Sequence, residues 1–550
     1  MERVEIKDKR ILVIGGSYEG INTALSLARE GNKVYLVESA PGLLNETVLL
    51  DRNEPYKVFP LNELKGNENI EVITFSDISR IEKSKDGFKV KIKKMPERVK
   101  NEKCTALGEC YRVCPVNLYD EYNGYLSLRC AISHFPMGDK KYYIIKEVPI
   151  CQRTCPIGLD VRGYVGLISD GKYKEALELI RSKLPFPGII GRICPHPCEQ
   201  KCNRGKLDEP ISIRDLKRFV ADNAKISTEQ KEIPESAKKV AIIGAGPAGL
   251  ACAHDLSQMS YKVTIFESLP VEGGMLAVGI PEYRLPRDIL NMEIDIVKKM
   301  GVEIKKGIKV GKDISITQLL ENGYHAVFIA VGAHRGLKLG IPGEDAKGVI
   351  EGVYFLQRVN LKEKIEIGKN VIVIGGGNVA IDAARCALRL GSKVKIVYRR
   401  SRDEMPASNE EIESALAEGI NIEYLTAPLE VVINNGAVSR LKCIRMRLGD
   451  PDASGRRRPI PVSGTEFELD TDTVIPAIGQ TSNLDFLKNI KGIEISRRGT
   501  IIVDPESLST GVKGIFAGGD CITGPGIAID AIASGKKAAI SIDKYLKGEA

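Results

Sequence analysis

The stretch VAIIGAGPAGLACAHDLSQMSYKVTIFES, residues 240–268, decides the fold. An apolar run leads into Gly244, Gly246 and Gly249, then a helical pattern of small residues, then a second apolar run. That order is strand, glycine turn, helix, strand. The first glycine lets the chain turn tightly. The second leaves room for a pyrophosphate against backbone N–H groups, and the third lets helix and strand pack closely. The same unit recurs as ILVIGGSYEGINTALSLAREGNKVYLVES (11–39) and VIVIGGGNVAIDAARCALRLGSKVKIVYRR (371–400). One such fingerprint is a weak signal. Three in strand–turn–helix context are a strong one.

The end of the second strand separates the copies. Counting 23 residues from the first glycine leads from Gly15 to Glu38, from Gly244 to Glu267 and from Gly375 to Tyr398. A carboxylate there accepts hydrogen bonds from an adenosine ribose. The third copy instead continues with Arg399 and Arg400, cations suited to a ribose 2′-phosphate. It therefore reads as an NADPH site built on Gly375, Gly377, Asn378 and Val379, with Arg399 and Arg400; a surface arginine pair is the alternative. The second copy reads as an FAD site. Its further elements are Gly273, Gly274 and Met275 in VEGGML and, far downstream, Gly519 and Asp520 in GIFAGGDCITGPGIAIDAIASGKKAA. The NADPH domain is thus inserted between two halves of the FAD domain, with Gly479 of VIPAIGQ at the return. The first copy is damaged. Ser17 replaces its second glycine, and Leu43-Leu44 stand where the second copy has Gly273-Gly274. It reads as a shortened flavin-domain relic with a structural or docking role.

Nine of the thirteen cysteines lie between residues 104 and 202. Cys151 and Cys155 form C-x3-C-P, and Cys194, Cys198 and Cys202 form C-x3-C-x3-C. Thiolates so spaced, on a loop and on successive helical turns, can converge on a [4Fe–4S] cluster. Zinc is the runner-up, but its paired C-x2-C knuckles are missing. CTALGECYRVCP (104–115) looks like a ferredoxin loop with Cys104, Cys110 and Cys114 kept and Leu107 in place of the fourth ligand. One or two [4Fe–4S] clusters are expected. Cys252, Cys386, Cys443 and Cys521 are scattered singly and read as small buried hydrophobes.

Composition excludes other classes. A net charge of +8 over 550 residues is mild, so nucleic acid is not expected. Arg456-Arg457-Arg458 reads as a solvated turn, with docking of an acidic partner as the alternative. RILVIGG is already a strand by residue 10, so no secretory leader is expected. No apolar run reaches the roughly 18 residues of a membrane span. Thiol-rich chains without a leader belong in a reducing compartment, here the cytoplasm.

GIPEYRLP (279–286), GGGNVAIDAARCALRLG (375–391), VYRRSRDEMPA (397–407) and VIPAIGQ (474–480) narrow the reading. Over residues 150–550 the chain resembles the small subunit of glutamate synthase and related flavoprotein subunits of NADPH-linked electron-transfer complexes. That family has an extra C-x2-C before its cysteine block. None stands here, and Cys104, Cys110, Cys114 and Cys130 would fill the gap. Residues 1–136 resemble the N-terminal part of the flavin-binding subunit of heterodisulfide reductase. The implied fold is α/β: a truncated Rossmann-like domain (1–100), a ferredoxin-like segment (101–150), a helical [4Fe–4S] domain (151–230), an FAD domain (238–335 and 480–550) and an NADPH domain (336–479). The implied protein is an oxidoreductase subunit that moves electrons between NADPH and a larger redox enzyme or iron–sulfur subunit. The small subunit of glutamate synthase and a non-catalytic scaffold are the alternatives. No acid–base or nucleophilic triad is needed for hydride transfer between cofactors, and none is expected.

Overall fold

The computed structural model describes residues 10–40, 42–43, 63–64, 66–84, 87–94, 99, 104, 109–112, 117–119, 128–130, 132–133, 143–144, 149–224, 230, 232–452, 455–488 and 490–549. Two compact units divide the chain, Met1–Val148 and Pro149–Ala550.

In the second unit, glycine-marked turns set two parallel sheets. The first runs in the order Glu303–Lys306, Lys262–Glu267, Lys239–Ile243, Tyr324–Ile329, Ile515–Ala517. The last strand arrives from far downstream, so this sheet is closed only after the second sheet has been made. Helix Pro247–Gln258 starts with proline in its first turn, where the missing N–H costs nothing. It is buried between this sheet and helix Ala528–Lys547. Small residues permit that crossing: a Cβ on Gly535 would lie 2.1 Å from the Ala248 carbonyl oxygen. The second sheet orders Asn421–Glu423, Lys393–Val397, Asn370–Ile374 and Thr473–Pro476, all parallel. Antiparallel strands Thr426–Asn434, Ala437–Pro451, Arg457–Pro461 and Phe467–Asp470 follow its edge. Two Rossmann-like sheets, one interrupting the other, bear out the α/β reading.

Residues 150–223 contain helices only: Ile150–Thr154, Val161–Ser169, Tyr173–Arg181, Pro187–Ile193, Pro197–Gln200, a 3-10 turn Asn203–Lys206, and Ile213–Asn223. Their apolar faces do not close on themselves. Tyr164, Leu177, Ile180, Phe186 and Ile189 share one core with Leu290, Ile294 and Val297 and with Ile532 and Ile542 of the flavin-type sheet's helices. The cysteine-bearing helices and the first sheet are thus two faces of a single hydrophobic interior.

The first unit has a parallel sheet of Ile11–Ile14, Val34–Val37 and Ile70–Ile73, followed by a hairpin of Ser76–Ser84 and Gly87–Lys94. Its wiring follows the third copy rather than the second. Phe75 (φ +54°) and Leu425 (φ +50°) each leave the third strand left-handed before a hairpin. The Phe75 N–H donates to the Ala40 carbonyl and the Leu425 N–H to the Arg400 carbonyl, at matching places after the second strand. Among the described residues nothing pairs with the free side of Ile11–Ile14, where the third copy has its fourth strand, and Ile14 is 59% exposed.

Among the described residues no helix is long and apolar enough to cross a membrane.

Candidate functional site

Gly244 takes φ +107°, which brings the chain out of strand Lys239–Ile243 and against the Ala330 carbonyl, 2.5 Å from where a Cβ would sit. Gly249 packs on the Gly244 carbonyl, 2.0 Å from its own missing Cβ. These approaches seat helix Pro247–Gln258 with its amino end at the mouth of a cavity of about 610 Å³. Gly244, Gly246, Glu267, Gly274, Met275, Gly519 and Asp520 line it. Gly273 shapes the wall from behind, its N–H donating to the Ala245 carbonyl at 2.9 Å. A Cβ on Gly274 would lie 2.8 Å from the Gly246 Cα, so the two glycines keep backbone against backbone at the floor.

The Glu267 carboxylate closes the end of strand Lys262–Glu267. It accepts the Ala245 N–H at 2.7 Å and the Leu269 N–H at 2.8 Å, and burial pushes its pKa up. Asp520 accepts the Gly526 N–H at 3.3 Å and is pushed up to about 6 by burial. Both carboxylates face space large enough for a cofactor. The residues fit FAD: a helix amino end for the pyrophosphate, a carboxylate for the ribose, and glycine backbone that a ring system can approach. Lys309, His334, Asp485 and Phe486 also line the cavity. Sequence reading missed them because GIKVGK, GAHRG and SNLDF carry no fingerprint. Burial lowers the His334 pKa, which favours its neutral form.

The third copy repeats the turn. A Cβ on Gly375 (φ +145°) would meet the Ala477 carbonyl at 2.3 Å, and one on Gly376 would strike the Tyr398 ring at 2.4 Å. Gly377 opens helix Asn378–Arg389 with no atom closer than Pro406, 3.9 Å from a built Cβ. The Asn378 side chain accepts the Ser408 N–H, and Val379 packs on the nucleotide-sheet core. Gly479 (φ +145°) lies where the chain returns to the first sheet, its carbonyl accepting the Leu337 N–H.

The two arginines part company here. Arg399 is exposed and has no hydrogen bond or ion pair among the described residues. Arg400 is buried, donating to Asp452 at 2.6 Å and to the Arg457 carbonyl at 2.8 Å. Its guanidinium is already spent on anchoring the hairpin that carries Arg457. The paired 2′-phosphate contact expected from RR therefore narrows to Arg399. Arg457 in turn pairs with Glu404, so the arginine triplet is partly built into this corner rather than wholly solvated.

Cys155, Cys194 and Cys198 line one narrow cleft with Tyr164, Lys217 and Ile529. Cys151 is buried in the same core, and its thiol feels the charge of Cys202. Burial pushes the Cys198 thiol up to about 12, and raises Cys151 and Cys194; bound iron would reverse that trend. Among the described residues no three His, Cys, Asp or Glu side chains are arranged to hold a single metal ion. Cys155, Cys194 and Cys198 share the walls of one apolar cleft, a donor set of the kind a [4Fe–4S] cluster takes, with Cys151 and Cys202 as further candidates. In the first unit Cys104 is half-buried and Cys110 exposed, while Cys114 and Leu107 lie outside the described residues. Leu43 fills the space above Gly16, its Cδ2 2.6 Å from where a Cβ would stand.

Two interleaved nucleotide folds with a thiol-lined helical region define a class of nucleotide-dependent redox proteins. Family comparison makes the assignment explicit: residues 238–535 match the pyridine nucleotide-disulphide oxidoreductase model, and the chain belongs to that family. A second model of the same description matches residues 10–98. Residues 146–229 match dihydropyrimidine dehydrogenase domain II, 4Fe-4S cluster. The chain is 49% identical over 425 residues to the NADP(+)-dependent formate dehydrogenase subunit beta of Moorella thermoacetica, covering 72% of this chain and 60% of that one. It is 42% identical to the NADPH-Fe(3+) oxidoreductase subunit beta of Geobacter sulfurreducens, over 74% of this chain and 65% of that one. Against the glutamate synthase [NADPH] small chain of Escherichia coli it is 35% identical, over 72% and 89%. The chain thus spans less than two thirds of the first two relatives. An FprA structure from Mycobacterium tuberculosis shares the fold, with TM-score 0.50 and 21% identity over 57% of this chain and 85% of that one.

Proposed function

We propose that the chain is an electron-transfer subunit that takes a hydride from NADPH and passes electrons singly to a partner redox enzyme. One observation carries this reading. Ile529 lines the cysteine cleft and Ala531 lines the flavin-type cavity, two residues apart at the start of helix Ala528–Lys547. That separation is a rise of about 3 Å along the helix. A two-electron site and a one-electron site so placed are adjacent stations.

FAD would supply hydride acceptance and single-electron release, and a [4Fe–4S] cluster the one-electron step beyond it. The chain's own residues bind and orient. Glu267 and the backbone of Gly244–Gly246 hold the adenosine end of FAD, with Gly274 and Met275 against the flavin and Gly519 and Asp520 on the ribityl side. Gly375, Gly377, Asn378 and Val379 seat NADPH, Arg399 takes its 2′-phosphate, and Gly479 keeps the return strand clear. Cys155, Cys194 and Cys198, with Cys151 or Cys202, hold one cluster. A second cluster would rest on Cys104, Cys110 and Cys114. Residues 1–100 serve as a docking platform, and the protein works in the cytoplasm.

The names of the relatives support the subunit reading: each is a beta subunit or small chain. The glutamate synthase small subunit is the second reading, favoured by coverage of 89% of that relative. Purification from the native source distinguishes them by the partner that comes with the chain. Anaerobic mixing with NADPH should bleach the flavin, and NADH should do so far more slowly. A stable monomer that turns over a small metabolite unaided would end the subunit reading.

A further inference from the structure

GIPEYRLP (279–286) is anchored in the flavin-type core by Leu285. Its polar side chains reach across to the nucleotide sheet. Arg284 donates to Asp382 at 2.6 Å and pairs with Glu411 at 2.7 Å, with only 15% of its side chain exposed. The Tyr283 ring lies under two guanidinium groups, Arg385 at 4.8 Å and Arg389 at 4.2 Å. Asp382, Arg385 and Arg389 all belong to helix Asn378–Arg389, the one that Gly377 opens. Asp382 is five residues from Gly377, about 7.5 Å along the axis. A second tie runs beside the first: Arg287 donates to the Asn360 side-chain oxygen, and the Asn360 amide donates to the Val278 carbonyl, both at 2.9 Å.

These contacts differ in kind from the rest of the interior. The two sheets have separate hydrophobic cores, bridged by Leu361, and the latch between them at GIPEYRLP is ionic and aromatic. Apolar surfaces can slide at little cost. A buried guanidinium held by two carboxylates has one arrangement, because leaving it strands a charge away from water. Among the described residues the second Asp382 oxygen has no hydrogen-bond partner, so the aspartate depends on Arg284. Cation–π stacking of Arg385 and Arg389 on Tyr283 holds the same face of the helix further along its axis.

We propose that Tyr283 and Arg284 are positioning residues for hydride transfer. They hold helix Asn378–Arg389, and the nucleotide seated at its amino end, at one distance and angle from the flavin-type cavity. The proposal rests on the NADPH-to-FAD reading above. Hydride transfer needs its atoms about 3–3.5 Å apart, and a 1 Å error costs on the order of 100-fold in rate.

The test is anaerobic stopped-flow reduction of the flavin by NADPH in the flavin-loaded full chain. Tyr283→Ala and Arg284→Ala should lower the limiting rate about 10-fold or more. Flavin content should stay unchanged, and the dissociation constant for NADPH should move by less than about twofold. Arg284→Ala combined with Asp382→Asn neutralises the aspartate and leaves Glu411 paired with Arg385 at 2.6 Å, so it should fold normally and should show the same fall. Arg284→Lys should restore part of the rate. An unchanged rate in the flavin-loaded double variant overturns the proposal. A second readout does not use NADPH. Spin labels placed by non-cysteine chemistry at Ile433 and Ile540, both exposed, report the separation of the two sheets. The double variant should broaden that distance distribution; one as narrow as wild type overturns the proposal. If wild-type flavin is not reduced by NADPH, the donor reading falls, and the label distances still decide the latch.

Discussion

The carboxylate of Glu293 accepts the backbone N–H of Gly188 at 2.7 Å, and its other oxygen accepts that of Ile189 at 2.9 Å. Glu293 is fully buried on helix Arg287–Lys299, and the two N–H groups open helix Pro187–Ile193, which ends at Cys194. One side chain therefore pins a cysteine-bearing helix to the flavin-type core. A Cβ at Gly188 would stand 3.1 Å from that carboxylate, so a larger residue there would press on the Glu293 side chain.

Burial pushes the Glu293 pKa up to about 7, against the two N–H groups and the Arg181 and Arg192 charges, which pull it down. The folded protein thus holds this proton more tightly than the unfolded chain. Stability contributed by the proton is fully present below the unfolded pKa of about 4.5 and is lost as pH rises through about 7. The melting temperature should fall across that window, by an amount equivalent to on the order of 3 kcal/mol. In Glu293→Gln the fall across that window should be smaller by that amount in a thermal-shift series, the remainder coming from other buried carboxyls such as Asp520.

Arg399 and Arg400 should behave as different kinds of residue. Arg399→Ala should weaken NADPH binding by roughly 1.5–3 kcal/mol, about 10- to 150-fold, and leave NADH and the melting temperature unchanged. Arg400→Ala removes the anchor to Asp452 and should lower stability by about 1–3 kcal/mol. Nucleotide titration beside thermal melts separates the two effects. Equal loss of nucleotide affinity with no loss of stability in both variants would contradict the burial of Arg400.

Acid-released flavin should amount to one FAD per chain. Gly274→Ala should abolish it, because Gly274 has φ +56° and its Cβ would lie 2.8 Å from Gly246. Two flavins per chain would mean that Leu43 does not block the first unit.

Iron and sulfide on anaerobically prepared protein should come to about four of each per chain for one cluster, about eight for two. Cys198→Ser should remove a cluster and stop reduction of one-electron acceptors while NADPH still bleaches the flavin. Cys114→Ser tests CTALGECYRVCP directly, since unchanged iron makes that loop a relic.

Much of the fold was legible because glycine turns and apolar periods act over a few residues. GAGPAG alone dictates the strand exit, the helix start and the close packing, and Glu267 follows at a fixed count because the one helix and one strand between have fixed lengths. The cysteine spacing marked the thiols but not their setting: Cys194 and Cys202 stand in extended backbone at element ends, and Cys198 lies within the short helix Pro197–Gln200. What the tertiary structure decided depends on residues far apart in the chain. Arg400 could be told from Arg399 only by Asp452, 52 residues on, and Glu293 found its partner 105 residues back. Lys309, His334 and Phe486 entered the cavity wall from segments with no local signature. GIPEYRLP was visible as a motif, but its grip on Asp382 and Glu411 was not. A backbone turn is a property of its own few dihedral angles, whereas a buried charge is satisfied by whichever element the completed core brings beside it.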